Sequence, residues 1–591
     1  MATILLLTSC LLITDSAVDE KVGVGAGGDA DTDSDTEVDT DTASGADADG
    51  DGYGLGQGDC DDADPAVNPG EAEDCSTPAD DNCDGSTNDV HAIGCSAFYP
   101  DSDGDGYGEA TSECLCIATP DFPATNGADC DDTNGATNPG SAEVCRNGID
   151  DNCDGGPDAC ELSGGSLSTA DAKYSGELEQ AAKAVAGAGD VNGDGYGDVL
   201  VAENPVVHLV LGSAVPAGID LATSNAHFTP ESGSVYAISG AGDVNADGFA
   251  DVLVGVPSSA EEPGGAAYLL LGSASPASVN LRSADAIFTG EEDFTGEPAG
   301  GYAGCALAAA GDVNGDGRDD MIVGACGLGG DNRGAAYLVL GSASPASMNL
   351  RSADAKFESG AAYGTAGWNA GFAVAGANDF DADGLDDILV GSQAHLSFLI
   401  LGSTSPSDLE LESADASYTG HSDYAGLSLD FAGDFNSDGY SDVLLGAYGE
   451  GGYIGAAYLI LGSAAPASLD VADSDASYFG EFAYDYAGAS VAGIGDTDRD
   501  GYDDIVVGAR LNDGGATDAG AAYLIRGSAS PASGGLATAD ARFTGETASN
   551  YAGIAVGGAG DVDADGYDDF LVGATGNGSW GAAYLLLGTG I

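Results

Sequence analysis

An acidic turn that returns seven times is the feature that most constrains the fold of this 591-residue chain. In the first copy, within GAGDVNGDGYGDVLVA at 187–202, Asp or Asn stands at turn positions 1, 3 and 5, Gly at position 6 and Asp at position 9. The copies begin at Asp190, Asp243, Asp312, Asp379, Asp434, Asp496 and Asp561. One structural unit therefore repeats about every 60 residues, a period that belongs to repeat architectures such as propellers.

The residues after each turn exclude an EF-hand. An EF-hand loop needs a bidentate Glu at position 12, but this position is apolar in all seven copies: Val201, Val254, Val323, Val390, Leu445, Val507 and Val572. The segment around it, such as Val-Leu-Val at 199–201, is apolar and largely β-branched, which favours a buried strand over an exiting helix. Each acidic turn therefore links two strands.

The residue types in the turn predict the ion that it binds. Carboxylate and amide oxygens at alternate positions suit a hard cation such as Ca²⁺. We predict about seven Ca²⁺ sites, each formed by the side chains at positions 1, 3, 5 and 9 and the backbone carbonyl at position 7; acidic turns that serve only solubility are the alternative. The predicted ligands are Asp190, Asn192, Asp194, Tyr196, Asp198, Asp243, Asn245, Asp247, Phe249, Asp251, Asp312, Asn314, Asp316, Arg318, Asp320, Asp379, Asp381, Asp383, Leu385, Asp387, Asp434, Asn436, Asp438, Tyr440, Asp442, Asp496, Asp498, Asp500, Tyr502, Asp504, Asp561, Asp563, Asp565, Tyr567 and Asp569.

Four apolar segments recur around each turn and predict a four-stranded blade. In the sixth unit these strands, A to D, are YAGASVAGIG at 486–495, DIVVGA at 504–509, GAAYLIRG at 520–527 and ADARFTG at 539–545. Strands A and B form a hairpin with the acidic turn at its tip. A D-type segment, ADAKYSG at 170–176, precedes the first A strand, whereas no D segment follows the last C strand. We therefore expect the early segment to supply the outer strand of the seventh blade and to close the ring.

These units resemble the FG-GAP repeats of the integrin α-subunit head. The first half of the motif appears as Tyr-Ala-Gly at 302–304, 424–426, 486–488 and 551–553, and the second as Gly-Val-Pro at 255–257 and Gly-Ala at 324–325, 446–447, 508–509 and 573–574. The resemblance implies an all-β fold, a seven-bladed β-propeller with four-stranded blades over 167–591. Unit one departs most, with KAVAG and VAENP at the motif positions, which predicts an irregular first blade.

Residues 47–160 form a separate, cysteine-dense region with two related units. Cys60, Cys75 and Cys83 reappear 70 residues later as Cys130, Cys145 and Cys153. In an exported protein this spacing indicates disulfides that hold short loops together. The alternative is a zinc–thiolate site, for which Cys114 and Cys116 are the one tight pair.

Two further acidic runs in this region predict additional Ca²⁺ sites in a small disulfide-rich domain. Their candidate ligands are Asp47, Asp49, Asp51, Asp101, Asp103 and Asp105. The region resembles the cysteine-rich metal-binding repeats of secreted bacterial proteins and, more loosely, the aspartate-rich repeats of thrombospondins. The first resemblance implies metal binding without naming the ion.

The amino-terminal residues predict export. Residues 1–18 contain an apolar stretch suited to an export or lipoprotein signal, in which Leu-Thr-Ser-Cys at 7–10 resembles a bacterial lipobox and makes Cys10 a candidate lipid anchor. Residues 19–46 form an acidic, low-complexity linker. We expect an extracellular or cell-surface protein, with a bacterial outer-envelope lipoprotein as one form of it.

Charge and composition exclude several functions. The formal net charge is −86 and only 13 residues are Lys or Arg, which argues against nucleic acid and against an anionic membrane surface. The membrane is therefore expected to be reached only through a lipid on Cys10. The five histidines, His91, His208, His227, His395 and His421, are scattered along the chain without HExxH spacing, so no catalytic constellation is identified and no enzyme is predicted.

The function expected from these features is surface adhesion or binding to a protein, matrix or glycan ligand, with calcium as a structural ion rather than a signal. The alternatives are a calcium-dependent extracellular hydrolase or lyase acting on polysaccharide or lipid, and an envelope component without a specific ligand. Binding is expected on the face opposite the acidic turns, where the B–C and D–A links vary most. The candidate anchors are Trp580, Tyr453, Phe294 and Arg333, with Trp368 assigned to the core.

Two cysteines flank the third acidic turn and predict a cross-strand disulfide. In a hairpin centred near Asp316, partners have residue numbers that add to about 631 or 632, and Cys305 and Cys326 fit this register. Two buried thiols are the alternative.

Overall fold

The computed structural model describes residues 47–141, 150, 153, 164–178, 180–291, 301–327, 334–359, 369–420 and 424–589. The predicted signal and linker, and also Cys10, Cys145, Phe294, Arg333, Trp368 and His421, lie outside the described residues. The chain divides into two compact units between Gly127 and Ala128. The domain limits drawn from the sequence, 47–160 and 167–591, remain predictions. None of the helices in the described part of the chain is long and apolar enough to cross a membrane.

The first unit has little regular structure and is held by disulfides. It contains a 3₁₀ turn at Leu55–Gln57 and one two-stranded sheet, β1 (Ser96–Phe98) and β2 (Glu113–Leu115). Cys60 is bonded to Cys83, Cys75 to Cys116 and Cys95 to Cys114. The zinc–thiolate alternative is wrong for Cys114 and Cys116, because each sulfur is already bonded to another cysteine. In the second unit, Cys130 is bonded to Cys153, which repeats the Cys60–Cys83 pairing.

The second unit is a seven-bladed β-propeller. Its strands are β3 (Gly165–Ser166), β4 (Ala172–Ser175), β5 (Val185–Gly189), β6 (Asp198–Glu203), β7 (Val206–Val210), β8 (Ile219–Asp220), β9 (Ala226–Thr229), β10 (Ala237–Gly242), β11 (Asp251–Val256), β12 (Ala266–Leu270), β13 (Val279–Asn280), β14 (Ala286–Thr289), β15 (Ala303–Gly311), β16 (Asp320–Ala325), β17 (Ala335–Val339), β18 (Met348–Asn349), β19 (Ala355–Glu358), β20 (Ala373–Asn378), β21 (Asp387–Ser392), β22 (Leu396–Ile400), β23 (Leu409–Glu410), β24 (Ala416–Thr419), β25 (Ser428–Gly433), β26 (Asp442–Ala447), β27 (Ala456–Ile460), β28 (Leu469–Asp470), β29 (Ala476–Phe479), β30 (Ala487–Gly495), β31 (Asp504–Ala509), β32 (Ala521–Ile525), β33 (Gly534–Gly535), β34 (Ala541–Thr544), β35 (Ala552–Gly560), β36 (Asp569–Ala574) and β37 (Ala582–Leu586). A short turn labelled α1 (Glu450–Tyr453) lies in the link between β26 and β27, and Gly451, Gly452 and Tyr453 in it have left-handed backbone.

Each blade has four antiparallel strands, A to D from the inside outwards, and a short fifth strand outside them. The fifth strand runs parallel to strand D and comes from the C–D link of the next blade, so it joins neighbouring blades. A one-turn 3₁₀ helix follows it and buries one aliphatic side chain. The blades are β5-β6-β7-β9-β13, β10-β11-β12-β14-β18, β15-β16-β17-β19-β23, β20-β21-β22-β24-β28, β25-β26-β27-β29-β33, β30-β31-β32-β34-β3 and β35-β36-β37-β4-β8.

The amino-terminal part of the propeller closes the ring, as predicted. Strand β4 pairs antiparallel with β37 in the seventh blade, with Tyr174 opposite Ala583. The two residues of β3 pair with β34 in the sixth blade. The seventh blade therefore has an outer strand, and its sheet edge is covered.

The core of the propeller lies between blades. All six residues of every B strand are buried, because both faces of each blade pack against a neighbour. This explains the continuous apolar runs that follow the acidic turns, since alternation is needed only where one face of a strand meets water.

Two details of the predicted blades are wrong. Blade 1 is not irregular: it has the same strands as the others, joined between B and C by the short Asn204–Pro205 link. The predicted hairpin register in blade 3 is also shifted, because Leu307 pairs with Val323 and bulges interrupt β15 near both ends. Cys305 lies in the first bulge and Cys326 just past β16, yet the two are bonded to each other, with their Cα atoms 6.2 Å apart.

Candidate metal-binding turns and the opposite face

The acidic turns are folded by the same residues that are predicted to bind metal. In the first turn, Asp190 Oδ1 accepts a hydrogen bond from the amide of Asp194 at 3.0 Å, and its Oδ2 accepts one from Gly195 at 2.8 Å. Asp194 Oδ1 accepts from the amide of Tyr196 at 3.1 Å. These three bonds recur in all seven turns. The carboxylates at positions 1 and 5 therefore curl the backbone around one point.

Two turn positions have left-handed backbone. Position 6 is always Gly, with φ of 91° at Gly195, where a side chain would be strained. Position 4 also has positive φ in every turn, although it is Ala, Ser or Arg in five of them. The invariant Gly at position 6 is thus required by backbone geometry, which weakens the alternative that the turns are acidic only for solubility.

The Asp at position 9 is fully buried and connects the turn to its blade. In the fourth turn, Asp387 Oδ2 accepts from the amide of Phe380 at 2.7 Å, and Oδ1 accepts from Gly402 in the C–D link at 2.7 Å. Burial, together with the charges of Asp381 and Asp379, raises the pKa of Asp387 to about 7, although its two hydrogen bonds oppose the shift. Corresponding bonds occur at Asp198, Asp251, Asp320, Asp442, Asp504 and Asp569.

The predicted ligands of a turn lie close enough together to share one ion. Carboxylate oxygens of Asp379, Asp381 and Asp387 lie within 4.8 Å of one another. The same holds for Asp496, Asp498 and Asp500 in the sixth turn. In the second turn, Asn245 Oδ1 is buried without a hydrogen-bond donor among the described residues. An acceptor in this state is destabilising unless something satisfies it, and a cation in the turn would do so.

A ring of hydrogen bonds joins the seven turns to one another. The amide at position 8 of each turn donates to the position 1 carbonyl of the preceding turn, as Ala250 does to Asp190 at 3.0 Å. The bond from Gly197 to Asp561 at 2.8 Å connects the first turn to the seventh and completes the circle. The turns therefore contribute to blade-to-blade contact as well as forming candidate metal sites.

A cation of the chain lies beside the sixth turn and is held closer to its carboxylates than Arg318 is to Asp316 in the third, where the distance is 3.5 Å. Arg526 Nε is 3.0 Å from Asp498 Oδ2, and the Asp498 side chain is almost fully buried. Part of the negative charge of this turn is therefore already balanced, so we expect its metal affinity to be the lowest of the seven.

The first unit contains the same turn at both predicted places. Asp47 Oδ1 and Oδ2 accept from the amides of Gly50 and Gly52, and Asp101 accepts the equivalent bonds from Gly104 and Gly106. Asp49 Oδ2 and Asp51 Oδ2 are buried without a hydrogen-bond donor in the described part of the chain. Burial raises the pKa of Asp49, and repulsion from the neighbouring carboxylates adds to the effect. This donor set fits a hard cation.

A third turn of this kind was missed by the sequence analysis. Asp80 accepts from the amides of Asp84 and Gly85, at 3.1 and 2.8 Å, and Asp84 accepts from Ser86 at 2.9 Å. The signal was present as Asp-x-Asn-Cys-Asp-Gly at 80–85. Cys83 occupies position 4 with φ of 59° and is bonded to Cys60, so the sequence pattern was assigned to the disulfides alone.

On the opposite face the links vary more from blade to blade, and they carry a cluster of tyrosines across blades 4 to 6. We define this tyrosine cluster as Tyr424, Tyr448, Tyr453, Tyr484 and Tyr486. Tyr424 and Tyr448 are stacked with centroids 4.8 Å apart, and Tyr448 stacks on Tyr486 at 5.8 Å. Tyr453 contacts both Tyr486 and Tyr484. All five side chains come from B–C or D–A links.

Exposure marks this cluster as more than a packed core. Tyr484 is 63% exposed and Tyr453 36% exposed, with Phe482 beside them at 57%. Four of the five tyrosines have positive φ, between 58° and 74°. Asp518, Ser549 and Tyr551 have positive φ at the equivalent places of the next unit, so this backbone belongs to the repeat, whereas the exposed rings belong to the cluster.

The cluster includes one of the predicted anchors. Tyr453 lies within it, whereas Trp580, 44% exposed, lies two blades further on in the B–C link of blade 7. Phe294 and Arg333 lie outside the described residues. Tyr484 and Tyr448 were missed, because nothing in the sequence shows that links of successive blades meet.

Comparisons with known proteins agree with this architecture. A family model described as "FG-GAP repeat" matches residues 234–270, 425–460 and 487–525, in blades 2, 5 and 6. A model described as "Putative metal-binding motif" matches 59–89 and 129–159, and the first of these ranges includes the turn at 80–85.

The chain is also similar to integrin α-subunits. It is 31% identical over 236 residues to integrin alpha pat-2 of Caenorhabditis briggsae, which is 36% of this chain and 18% of that protein. It is 36% identical over 163 residues to integrin alpha-X of Homo sapiens, 27% of this chain and 13% of that protein. It is 30% identical over 226 residues to integrin alpha-5 of Xenopus laevis, which is 35% of this chain and 20% of that protein. The chain thus spans at most a fifth of these relatives, and it carries FG-GAP repeats like theirs together with the metal-binding motif.

Proposed function

We propose that this protein is an exported β-propeller that binds a protein partner in surface adhesion through its tyrosine cluster, with Ca²⁺ in the acidic turns as a structural ion. The single observation that carries the proposal is the exposed tyrosine cluster on the face opposite the turns. Tyrosine provides a large contact area with few rotatable bonds, and it is enriched in interface hot spots.

Charge supports a basic contact surface on the partner. The chain has a net charge of −86, so a positively charged partner is attracted over a distance, whereas an acidic one is repelled. The tyrosine cluster also holds a cation of its own, because the Arg510 guanidinium lies 5.2 Å from the ring centre of Tyr486. A cationic side chain of a partner would find similar ring faces at Tyr453 and Tyr484.

The donor set of the turns supports Ca²⁺ as the ion. Every turn offers only oxygen donors, with three or four carboxylates among positions 1, 3, 5 and 9. Softer metals prefer nitrogen and sulfur ligands. We propose seven such sites in the propeller and further ones at the turns of the first unit, including Asp80. Calorimetric titration should find several sites, and fewer than three would contradict the proposal.

Export to an oxidising compartment is supported by the disulfides. The described residues contain five, including Cys305–Cys326 inside the propeller. Such bonds persist outside the cytosol. Mass mapping of the native protein should find Cys305 and Cys326 linked; alkylation of both without reduction would contradict the assignment. Lipidation of Cys10 remains a prediction, tested by mass analysis of the mature amino terminus.

The test of function is binding to the native cell surface, measured once with about 1 mM Ca²⁺ and once with chelator. At about 1 mM Ca²⁺, extracellular calcium-binding modules are filled. Calcium-dependent binding that requires the tyrosine cluster supports the proposal. The rival hydrolase or lyase is tested by turnover of polysaccharides and phospholipids, and turnover abolished by one point mutation would favour the enzyme. Protein that neither binds nor turns over any substrate would fit an envelope component without a specific ligand.

A further inference from the structure

Two histidines that are 19 residues apart in sequence meet on the outer strands of blade 1. His208 in β7 and His227 in β9 are directly opposite each other in the antiparallel pair. Their Nδ1 atoms are 3.2 Å apart. Ser224 Oγ lies 3.1 Å from Nδ1 of His208 and 3.5 Å from Nδ1 of His227. Three donor atoms from three residues therefore surround one point.

The separations of these atoms fit three corners of a tetrahedron around a transition metal. A point about 2.0 Å from all three atoms exists close to their plane, and this is the distance of Zn²⁺ from a histidine nitrogen. The fourth corner lies toward the outside of the blade, because His208 is buried at 3% exposure while His227 is only half-buried. A water molecule or an external ligand can therefore complete the coordination.

A buried carboxylate fixes the orientation of the inner ring. His208 Nε2 is 3.0 Å from Glu203 Oε2, and Glu203 is only 2% exposed. The other oxygen of Glu203 accepts from the amides of Glu177 and Leu178. Burial opposes ionisation of Glu203, but the hydrogen bonds from His208 and from these amides hold its pKa below the usual value. A His208 that donates from Nε2 to Glu203 can present the Nδ1 lone pair toward His227, as in metal-binding histidines held by a carboxylate.

The outer ring is half-buried, with its Nδ1 directed at the same point as that of His208. Burial lowers the pKa of His227, and the neighbouring His208 lowers it further. Neutral imidazole is the ligand species, and two adjacent rings cannot both be charged without repulsion.

We propose that His208 and His227 form a binding site for one late first-row transition ion, Zn²⁺ or Cu²⁺, with Glu203 orienting His208. Nitrogen donors select these ions over Ca²⁺, so the site is distinct from the acidic turns in both position and chemistry. Ser224, His208 and Glu203 also resemble a hydrolase triad in their order of contacts, but Ser224 is only 8% exposed and its hydroxyl lies 3.3 Å from the carbonyl of Ala226.

The test is Cu²⁺ binding to the whole protein in excess Ca²⁺, which keeps the acidic turns occupied. We expect a bound Cu²⁺ with two imidazole nitrogens in its electron paramagnetic resonance spectrum, distinguished by those nitrogens from any Cu²⁺ on the metal-binding motif at 59–89 and 129–159. His227→Ala should weaken binding at least tenfold and remove one nitrogen from the spectrum. Glu203→Gln should weaken it by about 10- to 100-fold, the usual effect of removing such an orienting carboxylate.

His91→Asn is the matched control, because His91 is exposed and lies in the first unit. It should leave both the affinity and the spectrum unchanged. Equal unfolding midpoints of the metal-free variants would show that His227→Ala does not act through folding. The proposal is overturned if His227→Ala binds Cu²⁺ as the unchanged protein does, or if no histidine nitrogen couples to the bound ion, in which case the rings share only a hydrogen bond.

Discussion

The face of the propeller that carries the acidic turns repeats one set of hydrogen bonds seven times, whereas the links on the opposite face differ in length and composition from blade to blade. On the turn face, each position 9 aspartate and each position 8 amide has the same partner in its own or the next blade. On the opposite face, the B–C links range from two residues at Asn204–Pro205 to the link at 510–520 between β31 and β32. Repetition indicates a shared structural task, and variation indicates a surface free to acquire a specific partner.

Removal of Ca²⁺ should affect the turn face most and gives the largest expected effect. At about 1 mM free Ca²⁺, sites with Kd of roughly 10⁻⁴ to 10⁻³ M each contribute about 0.4 to 1.4 kcal/mol, so seven contribute about 3 to 10 kcal/mol. That range is comparable with the whole stability of a typical domain, about 5 to 15 kcal/mol. A thermal melt in excess chelator should show a large fall in midpoint, restored by Ca²⁺ but not by NaCl of equal ionic strength. An unchanged midpoint would exclude the structural role.

The two functions assigned to the turn face can be separated by a pair of substitutions in the fourth turn. Asp387→Ala leaves the buried amide of Phe380 and the half-buried amide of Gly402 without acceptors, at about 1 to 3 kcal/mol each. We therefore expect a loss of about 2 to 6 kcal/mol even in chelator. Asp383→Ala removes an exposed predicted ligand. Within this turn its side chain accepts one hydrogen bond, from the amide of Leu385. We therefore expect the loss of stability to be large only when Ca²⁺ is present.

Urea unfolding with and without Ca²⁺ measures both effects. Equal losses for the two variants in chelator would show that position 9 has no structural role beyond that of the other ligands.

The opposite face should respond in binding rather than in stability. Tyr453→Ala combined with Tyr484→Ala removes exposed rings of the tyrosine cluster, and hot-spot residues of this kind contribute about 2 kcal/mol or more each. We expect cell-surface binding to weaken by at least about tenfold while the unfolding midpoint changes little. Tyr440→Ala is the control on the turn face, because only its backbone carbonyl is a predicted ligand. If Tyr440→Ala abolishes binding and the double variant does not, the partner binds to the turn face.

The part of the structure that was predictable from sequence is the part that each repeat encodes locally. Asp190 to Asp198 predict a turn because the ligand residues fold it themselves, and Val199 to Val201 predict a buried strand because both blade faces are covered. The closing strand was predictable because the D-type segment at 170–176 has no blade of its own in the sequence. The turn at Asp80 belongs to the same class and was missed only because Cys83 interrupts the run of acidic residues.

What could not be predicted depends on contacts between repeats. The hydrogen bond from Gly197 to Asp561 joins residues at opposite ends of the propeller sequence, and no local sequence pattern predicts it. Tyr424 and Tyr448 were readable as motif residues, but their stacking requires two links to meet across a blade. His208 and His227 appeared scattered because cross-strand distance is set by register. The bulges in β15 shifted the register predicted for Cys305 in the same way, since an inserted residue leaves no mark in an apolar run.

The last predicted effect lies between the two faces, in the axial channel lined by the innermost strands of all seven blades. Asp430 is the ionisable residue among the described side chains that line it, and it accepts hydrogen bonds from the amides of Phe431 at 3.0 Å and Gly493 at 3.2 Å. Burial raises its pKa to about 7, although both bonds oppose the shift. An unfolded aspartate has a pKa of about 3.9. Between that pH and about pH 7 the unfolded state therefore gives up the proton that the folded state keeps, and the free energy of unfolding falls as the pH rises.

Asp430→Asn should remove this dependence. The difference in unfolding free energy between the variant and the unchanged protein should shift in favour of the variant from pH 4 to pH 7, by at most about 1.4 kcal/mol per pH unit, and stay constant above pH 7. Taking the difference cancels the pH dependence of the acidic turns, which both proteins share. Asp473→Asn, at an exposed position in a 3₁₀ turn, is the control and should give a curve parallel to that of the unchanged protein. Parallel curves for Asp430→Asn as well would show that channel water solvates the carboxylate as freely as bulk water does. A difference that changes with pH as expected would instead show that the channel wall, which belongs to neither face, disfavours the ionised carboxylate of Asp430.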